Sequence, residues 1–241
     1  MQFSKLFGLE GLPGVENLDE LWPSLKAQLT EKVLQDTLPD VLAVEEGLAE
    51  ASDEVKAQKT AEVREELSQE FDNTLNRLAE GETLAQIKGL SAEHLEAMYV
   101  LAQHTMQTGQ VEDAASVFYF LMMLDSTDSK FFTAFAACQQ IQKNYEQALR
   151  IYAVAQLLDT SDPRVPQNAG VCCLHLNKLP EAEGLLNRAN SICEQRLEHL
   201  SPIAIKNAAE RQEYQRLLDK GQQLAKIVAI RLKSQQPNTK D

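Results

Sequence analysis

The chain has 241 residues, with 23 basic and 36 acidic side chains and a formal net charge of −13 at pH 7. Its 10 glycines and 8 prolines are few for this length, and this composition is typical of helices joined by short turns, which argues against a β-sandwich or a disordered chain. The acidic surface would repel phosphate backbones, so nucleic acid is not an expected partner.

Membrane insertion and a secreted location are not expected either. No run of about 18 apolar residues occurs, and the first residues lack the pattern of a secretory signal, so we expect a cytoplasmic protein. The four cysteines fall in helical patterns and form no C-x-x-C pair, which favours buried, reduced thiols. The sequence predicts no cofactor and no metal site.

Residues 1–88 are predicted to form an acidic helical N-terminal extension, because residues 1–90 carry 8 basic and 19 acidic side chains. Apolar residues at spacings of three and four predict an amphipathic helix over residues 15–36, which ends near Leu38-Pro39. A second helix is predicted from about Val41 to Glu80, although its apolar stripe lapses around Ser52 and Lys59. The alternatives for this region are a solvated helix that covers the following domain, homodimerisation, or docking to another protein. The predicted apolar positions of the first helix are Leu18, Leu21, Trp22, Leu25, Leu29 and Val33.

Residues 89–196 contain three blocks of 34 residues, at 95–128, 129–162 and 163–196, which align without a gap. Two small residues recur in every block. They are Ala102, Ala136 and Gly170 in the first half, and Ala114, Ala148 and Ala182 in the second half. This period resembles the tetratricopeptide repeat, in which each unit is a pair of antiparallel helices that stacks on the next unit. The sequence therefore predicts an all-α fold with a solenoid of three helix pairs.

Local signals mark where the repeat helices begin and end. Ser91, Asp128 or Ser129, and Ser161-Asp162-Pro163 are predicted helix starts. The predicted turns within the pairs are Gly109-Gln110, Lys143-Asn144 and Asn177-Lys178. The predicted solenoid core includes Phe118, Leu121, Phe132, Phe135, Leu158 and Leu186.

The concave face of such a solenoid is lined by the first helix of each pair, and we call this face the concave groove. Its predicted residues mix apolar and uncharged polar groups. That mixture suits an extended peptide with a few apolar anchors, whose main chain could bond to glutamine amides. The candidate peptide-binding residues are Tyr99, Gln103, Met106, Thr133, Ala137, Gln140, Gln167, Val171 and Leu174.

A narrower pattern runs through the same repeats. It comprises Gly89-Leu90-Ser91 with Glu96 and 99–102, the run 115–125, Phe131-Phe132 with 137–140, and Asp162-Pro163 with Pro166, Ala169, Cys172 and Leu174. Over roughly residues 85–195 this pattern is similar to the LcrH/SycD (class II) chaperones of bacterial type III secretion.

This resemblance implies a chaperone in the bacterial cytosol. Members of that family bind an extended segment of a hydrophobic secreted translocator in the concave groove, with anchors of a P-x-L-x-x-P type, and keep it soluble and unassembled before export. The chain departs from the family at Gln103 and Met106, where two aromatic residues are usual, and in its long N-terminal extension. A component of the export machinery is the other partner considered for that extension.

Residues 197–241 are predicted to form a C-terminal capping helix and a tail. From Ser201-Pro202 onward, apolar residues including Ile203 occupy one face, which would cover the exposed end of the solenoid. The opposite face is basic, and the residues from Gln235 to Asp241 are predicted to fray.

Three other functions are alternatives to the chaperone. An enzyme is not expected, because the four histidines form no catalytic or metal-binding pattern. A co-chaperone that clamps a C-terminal carboxylate is disfavoured, since Lys130 and Arg164 alone do not make the clamp. The alternative that stays open is a tetratricopeptide repeat scaffold or assembly factor that docks to secretion-machine components.

Overall fold

A computed structural model describes residues 18–44, 50–200 and 208–235, without the side chains of residues 18–22, 25, 29 and 235. The described residues form ten α-helices, which confirms the all-α prediction. The chain divides between Leu90 and Ser91 into two compact units. None of the described helices is long and apolar enough to cross a membrane.

The first unit contains α1 (Leu18–Ala43), α2 (Asp53–Ala79) and the single-turn α3 (Leu84–Ile87). Helices α1 and α2 run antiparallel, because Lys26 Nζ lies 3.3 Å from Asp72 Oδ1 while the Arg64 guanidinium pairs with Glu31. Thr30 Oγ1 also donates to Asp72 Oδ1 at 3.2 Å. The unit is therefore a helical hairpin in which ion pairs and a hydrogen bond join the two helices.

The predicted helix boundaries in this unit are wrong in two places. Helix α1 continues through Pro39 to Ala43, because a proline removes one hydrogen-bond donor without necessarily ending a helix. Helix α2 begins at Asp53 instead of Val41, since the extended Ser52 caps it and accepts a hydrogen bond from Val55 N at 3.4 Å. The structure describes the backbone but not the side chains at positions 18, 21, 22, 25 and 29, so these predicted apolar positions lie outside what it describes.

The second unit contains three helix pairs and a long final helix, and each helix packs on the next in chain order. The pairs are α4 (Ala92–Gln107) with α5 (Val111–Leu124), α6 (Ser129–Ile141) with α7 (Tyr145–Leu158), and α8 (Arg164–His175) with α9 (Leu179–His199). The final helix is α10 (Ala208–Gln235). This order confirms the predicted tetratricopeptide repeat solenoid.

Small residues allow the paired helices to approach closely. Ala102, Ala136, Ala114 and Ala148 are all fully buried. At Gly170 an added Cβ would lie only 2.9 Å from Leu186 Cγ. The recurrence of small residues in the sequence therefore has a direct cause in helix contact.

The three inner helices end in the same way. Gly109, Lys143 and Asn177 occupy equivalent positions with φ values of 91°, 67° and 57°. After α6, Lys143 N donates to Gln140 O at 3.0 Å and Asn144 N donates to Gln139 O at 2.9 Å, which is the Schellman pattern. The predicted turns are thereby confirmed, and Lys143 holds a left-handed conformation that glycine adopts more easily.

The predicted helix starts are also largely confirmed. Ser91 Oγ accepts from His94 N at 3.4 Å, while Ser91 N donates to His94 Nδ1 at 3.1 Å. Asp128 Oδ1 accepts from Lys130 N at 3.0 Å. Helix α8 begins at Arg164, one residue after the predicted start at Pro163. The backbone nitrogen of Arg164 donates to Asp162 Oδ1 at 2.9 Å.

Most predicted core residues lie inside the second unit. Phe118, Leu121 and Leu186 are fully buried. Phe132 and Phe135 are half-buried. Leu158 is the exception: it is the last residue of α7 and remains 41% exposed, so its assignment to the core is wrong.

The outer helices α5 and α7 expose apolar residues at repeat-equivalent positions. Phe120 and Met123 on α5 correspond to Val154 and Leu157 on α7, and Leu157 is 84% exposed. The equivalents in the third repeat are polar, so the apolar character of this outer surface ends there.

Helix α10 packs mainly on α9 and also touches α8. Its Arg211 Nη1 donates to Leu197 O at 3.0 Å and to Leu200 O at 2.9 Å, near the carboxyl end of α9. Val228 joins a buried cluster with Leu174 and other residues of α8 and α9. This confirms the predicted capping helix, whereas its predicted start (201–207) and the tail (236–241) lie outside the described residues.

Candidate peptide-binding groove

The inner helices α4, α6 and α8 place repeat-equivalent residues, 34 apart, in rows across the concave groove. The four rows are Glu96 with Lys130 and Arg164, Tyr99 with Thr133 and Gln167, Gln103 with Ala137 and Val171, and Met106 with Gln140 and Leu174.

The first row is charged but internally neutralised. Lys130 Nζ lies 2.9 Å from Glu96 Oε2 and 3.1 Å from Asp128 Oδ2. Partial burial acts to lower the pKa of Lys130, but the two carboxylates outweigh it and the pKa is raised. Arg164 Nη2 lies 2.8 Å from Asp162 Oδ2. Because Lys130 and Arg164 already form ion pairs with carboxylates of the chain itself, this row does not offer unpaired cations to a client carboxylate.

Tyr99, on the first inner helix, belongs to an aromatic cluster. Its ring centroid lies 5.6 Å from that of Phe118 and 5.9 Å from that of Phe131, and Lys130 Nζ lies 5.5 Å from it. Burial raises the pKa of the Tyr99 hydroxyl, and this effect outweighs the opposing influence of the neighbouring side chains. The half-buried ring can therefore contact a ligand while its hydroxyl stays neutral.

The middle of the groove is half-buried and uncharged. Met106 Sδ lies 3.7 Å from Cys138 Sγ, which fixes the flexible thioether against α6. Thr133 Oγ1 donates to Ser129 O at 2.9 Å, so this hydroxyl is already engaged by its own helix. Ala137 and Val171 add small apolar surfaces. These side chains can bury apolar groups of a peptide without a charge penalty.

Two candidate residues lie beneath α10. Gln167 is 1% exposed, and its Nε2 donates to Leu217 O at 2.7 Å. Leu174 is 9% exposed and belongs to the cluster with Val228. Seven of the nine candidates are therefore half-buried side chains of the inner helices, whereas Gln167 and Leu174 lie under the capping helix.

Sequence reasoning missed the part that Tyr152 plays behind the groove. Tyr152 belongs to α7 and is 1% exposed, yet its hydroxyl donates to Gln140 Oε1 at 2.9 Å. A signal was present, because the equivalent core residues in the other repeats, Phe118 and Leu186, have no polar atom. Among the described residues no cluster suits a metal ion.

Comparison with known proteins identifies the family. Low calcium response locus protein H of Yersinia pestis is 36% identical to this chain over 118 residues, which are 49% of this chain and 70% of that protein. The chain belongs to the LcrH/SycD-like family of type III secretion chaperones. The resemblance inferred from the sequence is thereby confirmed. No protein-family model matches the chain.

Solved structures agree with this assignment to the LcrH/SycD-like family. PcrH in complex with the chaperone-binding region of PopD is 31% identical, with a TM-score of 0.51, and the match covers 59% of this chain and 96% of PcrH. A chain of a type III secretion complex from Aeromonas hydrophila matches 68% of this chain and 99% of its own length with a TM-score of 0.58. Its identity is 24%, so this second likeness concerns the fold alone.

Proposed function

We propose that the chain is a type III secretion chaperone. In this role it holds an extended segment of a hydrophobic translocator in the concave groove and keeps that protein soluble and unassembled in the bacterial cytosol before export. The observation that carries the proposal is the match to PcrH, whose structure contains the chaperone-binding region of PopD. The role requires binding and no catalytic group.

The chemistry of the concave groove supports this role. Tyr99, Met106, Ala137 and Val171 offer apolar contact, and Gln103 and Gln140 offer amide groups for a main chain. A client with membrane-seeking segments would associate in water, and binding shifts it toward the soluble complex by mass action. The net charge of −13 on the chaperone would also make copies of the complex repel one another.

The test is affinity purification from bacteria that express a type III secretion system. Wild type is compared with Ala137→Glu, which places a charge in the groove, and with the matched control Ala153→Glu, which lies exposed on α7. We expect wild type and the control to retain a secreted protein with long apolar segments, and Ala137→Glu to lose it. Circular dichroism should show equal helicity for all three proteins.

Two results would contradict the proposal. Retention of the same partner by Ala137→Glu would mean that the groove is not the client site. Recovery of only soluble machine subunits would instead favour the scaffold function.

A further inference from the structure

One side chain of the concave groove is held in a fixed orientation by a hydrogen bond from a buried residue behind it. The buried hydroxyl of Tyr152 donates its proton to Gln140 Oε1 at 2.9 Å. Because a phenol has a single hydroxyl proton, this bond uses the donor capacity of Tyr152 and joins α7 to α6.

This bond determines which end of the Gln140 amide is available to a ligand. With Oε1 engaged by Tyr152, the Nε2 group keeps two hydrogens at the other end of the amide. Gln140 is half-buried in the groove row of Met106 and Leu174, and the small Ala137 precedes it by three residues on the same helix. Because Gln140 is only half-buried, its side chain remains partly accessible to a ligand.

The same positions in the other repeats show that packing alone does not require this polar pair. The first repeat has Met106 with Phe118, and the third has Leu174 with Leu186. Both partners are apolar there and both are polar in the second repeat. Burying a hydroxyl without a partner costs free energy, and Gln140 supplies the acceptor for Tyr152.

We propose that Gln140 is a fixed hydrogen-bond donor for a main-chain carbonyl of the bound client segment, with Tyr152 as its positioning residue. An extended peptide has carbonyl groups that no internal bond satisfies, and a fixed donor bonds to one of them whatever the side chain. This inference rests on the proposed function and assigns one subsite within it.

The test is a calorimetric titration of the full chain with the chaperone-binding region of PopD. Gln140→Glu keeps the shape and the acceptor for Tyr152 but replaces the donor with an acceptor. Tyr152→Phe removes the positioning hydroxyl. The matched controls are Gln147→Glu on the outer helix α7 and Tyr145→Phe, whose ring stacks on His175 at 4.3 Å.

We expect Gln140→Glu to weaken binding about tenfold or more, and Tyr152→Phe to weaken it by about threefold to tenfold. The double variant should bind no worse than Gln140→Glu, because the two residues act through one donor. A merely structural effect of Tyr152→Phe would instead add to that of Gln140→Glu. Both controls should bind like wild type.

A second measurement needs no client. In the free chain, the hydroxyl proton of Tyr152 should exchange with water slowly enough to be seen by NMR, and should show a nuclear Overhauser effect to Gln140. Exchange as fast as that of the Tyr145 hydroxyl would overturn the fixed orientation.

The experiments distinguish a failure of the Gln140 assignment from a failure of the proposed function. If wild type binds the PopD segment and Ala137→Glu does not, but Gln140→Glu binds normally, only the assignment of the donor is wrong. If wild type does not bind the segment, or Ala137→Glu binds it as well as wild type does, the proposed function fails and the inference fails with it.

Discussion

Gly170 and Gly184 provide a matched test of the close helix contact within the third repeat. Both glycines lie inside helices, in α8 and α9 respectively. A Cβ at Gly170 would lie 2.9 Å from Leu186 Cγ and 3.1 Å from Leu186 Cδ2, whereas a Cβ at Gly184 would have no neighbour within 4 Å. The same substitution to alanine should therefore have opposite effects at the two sites.

The magnitudes follow from two competing terms. Replacing glycine by alanine inside a helix stabilises by about 1 kcal/mol, and Gly184→Ala should show most of this gain. At Gly170 overpacking costs about 1 to 3 kcal/mol, because Leu186 is fully buried and has little room to move. Gly170→Ala should therefore lower the free energy of unfolding by about 1 kcal/mol, leaving the two variants about 2 kcal/mol apart.

The assay is urea unfolding of the full chain, followed by circular dichroism at 222 nm, with the slope of each transition compared with that of wild type. Equal slopes would assign the change in midpoint to stability. If Gly170→Ala stabilises the chain as much as Gly184→Ala does, Leu186 can yield, and close contact does not explain the glycine at this position.

Three further predictions concern a turn, the thiols and an ion pair. Lys143→Gly should raise the free energy of unfolding by about 0.5 to 1 kcal/mol in the same assay, because φ at Lys143 is 67°; a decrease would contradict the cost assigned to this conformation. Burial raises the pKa of Cys138 and Cys193 to about 11 and that of Cys172 to about 12, so an aromatic disulfide reagent at pH 8 should label them slowly in folded protein and rapidly in urea. Fast labelling before unfolding would be inconsistent with their burial. Hydrogen bonds from Arg77 hold the pKa of Glu82 below its usual range, so this pair adds stability above the unfolded-state pKa and loses it as pH falls through the folded-state pKa. Arg77→Gln should raise the NMR titration midpoint of Glu82, and an unchanged midpoint would refute the pairing.

The repeat was readable from the sequence because close helix contact imposes the same small residues at a fixed period. Ala114 and Ala148 are buried for one shared reason, so their recurrence reported the fold directly. The left-handed turns were readable for a similar reason, since Gly109 and Asn177 are residue types that tolerate positive φ.

The parts that the sequence did not reveal depend on contacts between distant residues. Gln167 has the phase of a groove residue, but its partner is the Leu217 carbonyl of α10, which lies outside the 34-residue repeat, so the repeat could not predict this contact. The end predicted for α1 was wrong for a local reason, because the helix tolerates Pro39. The polar Tyr152 stood out among the apolar core residues of the other repeats, but its partner Gln140 lies on a different helix, so the sequence did not reveal the bond between them.

The central claim is that the client segment lies in the concave groove, and backbone amide NMR tests it most directly. Spectra of the labelled chain would be recorded with and without the chaperone-binding region of PopD. The account predicts that the largest shift changes occur on α4 and α6, around Tyr99, Ala137 and Gln140. Changes confined to the outer helices α5 and α7, or to the hairpin of residues 18–79, would contradict it.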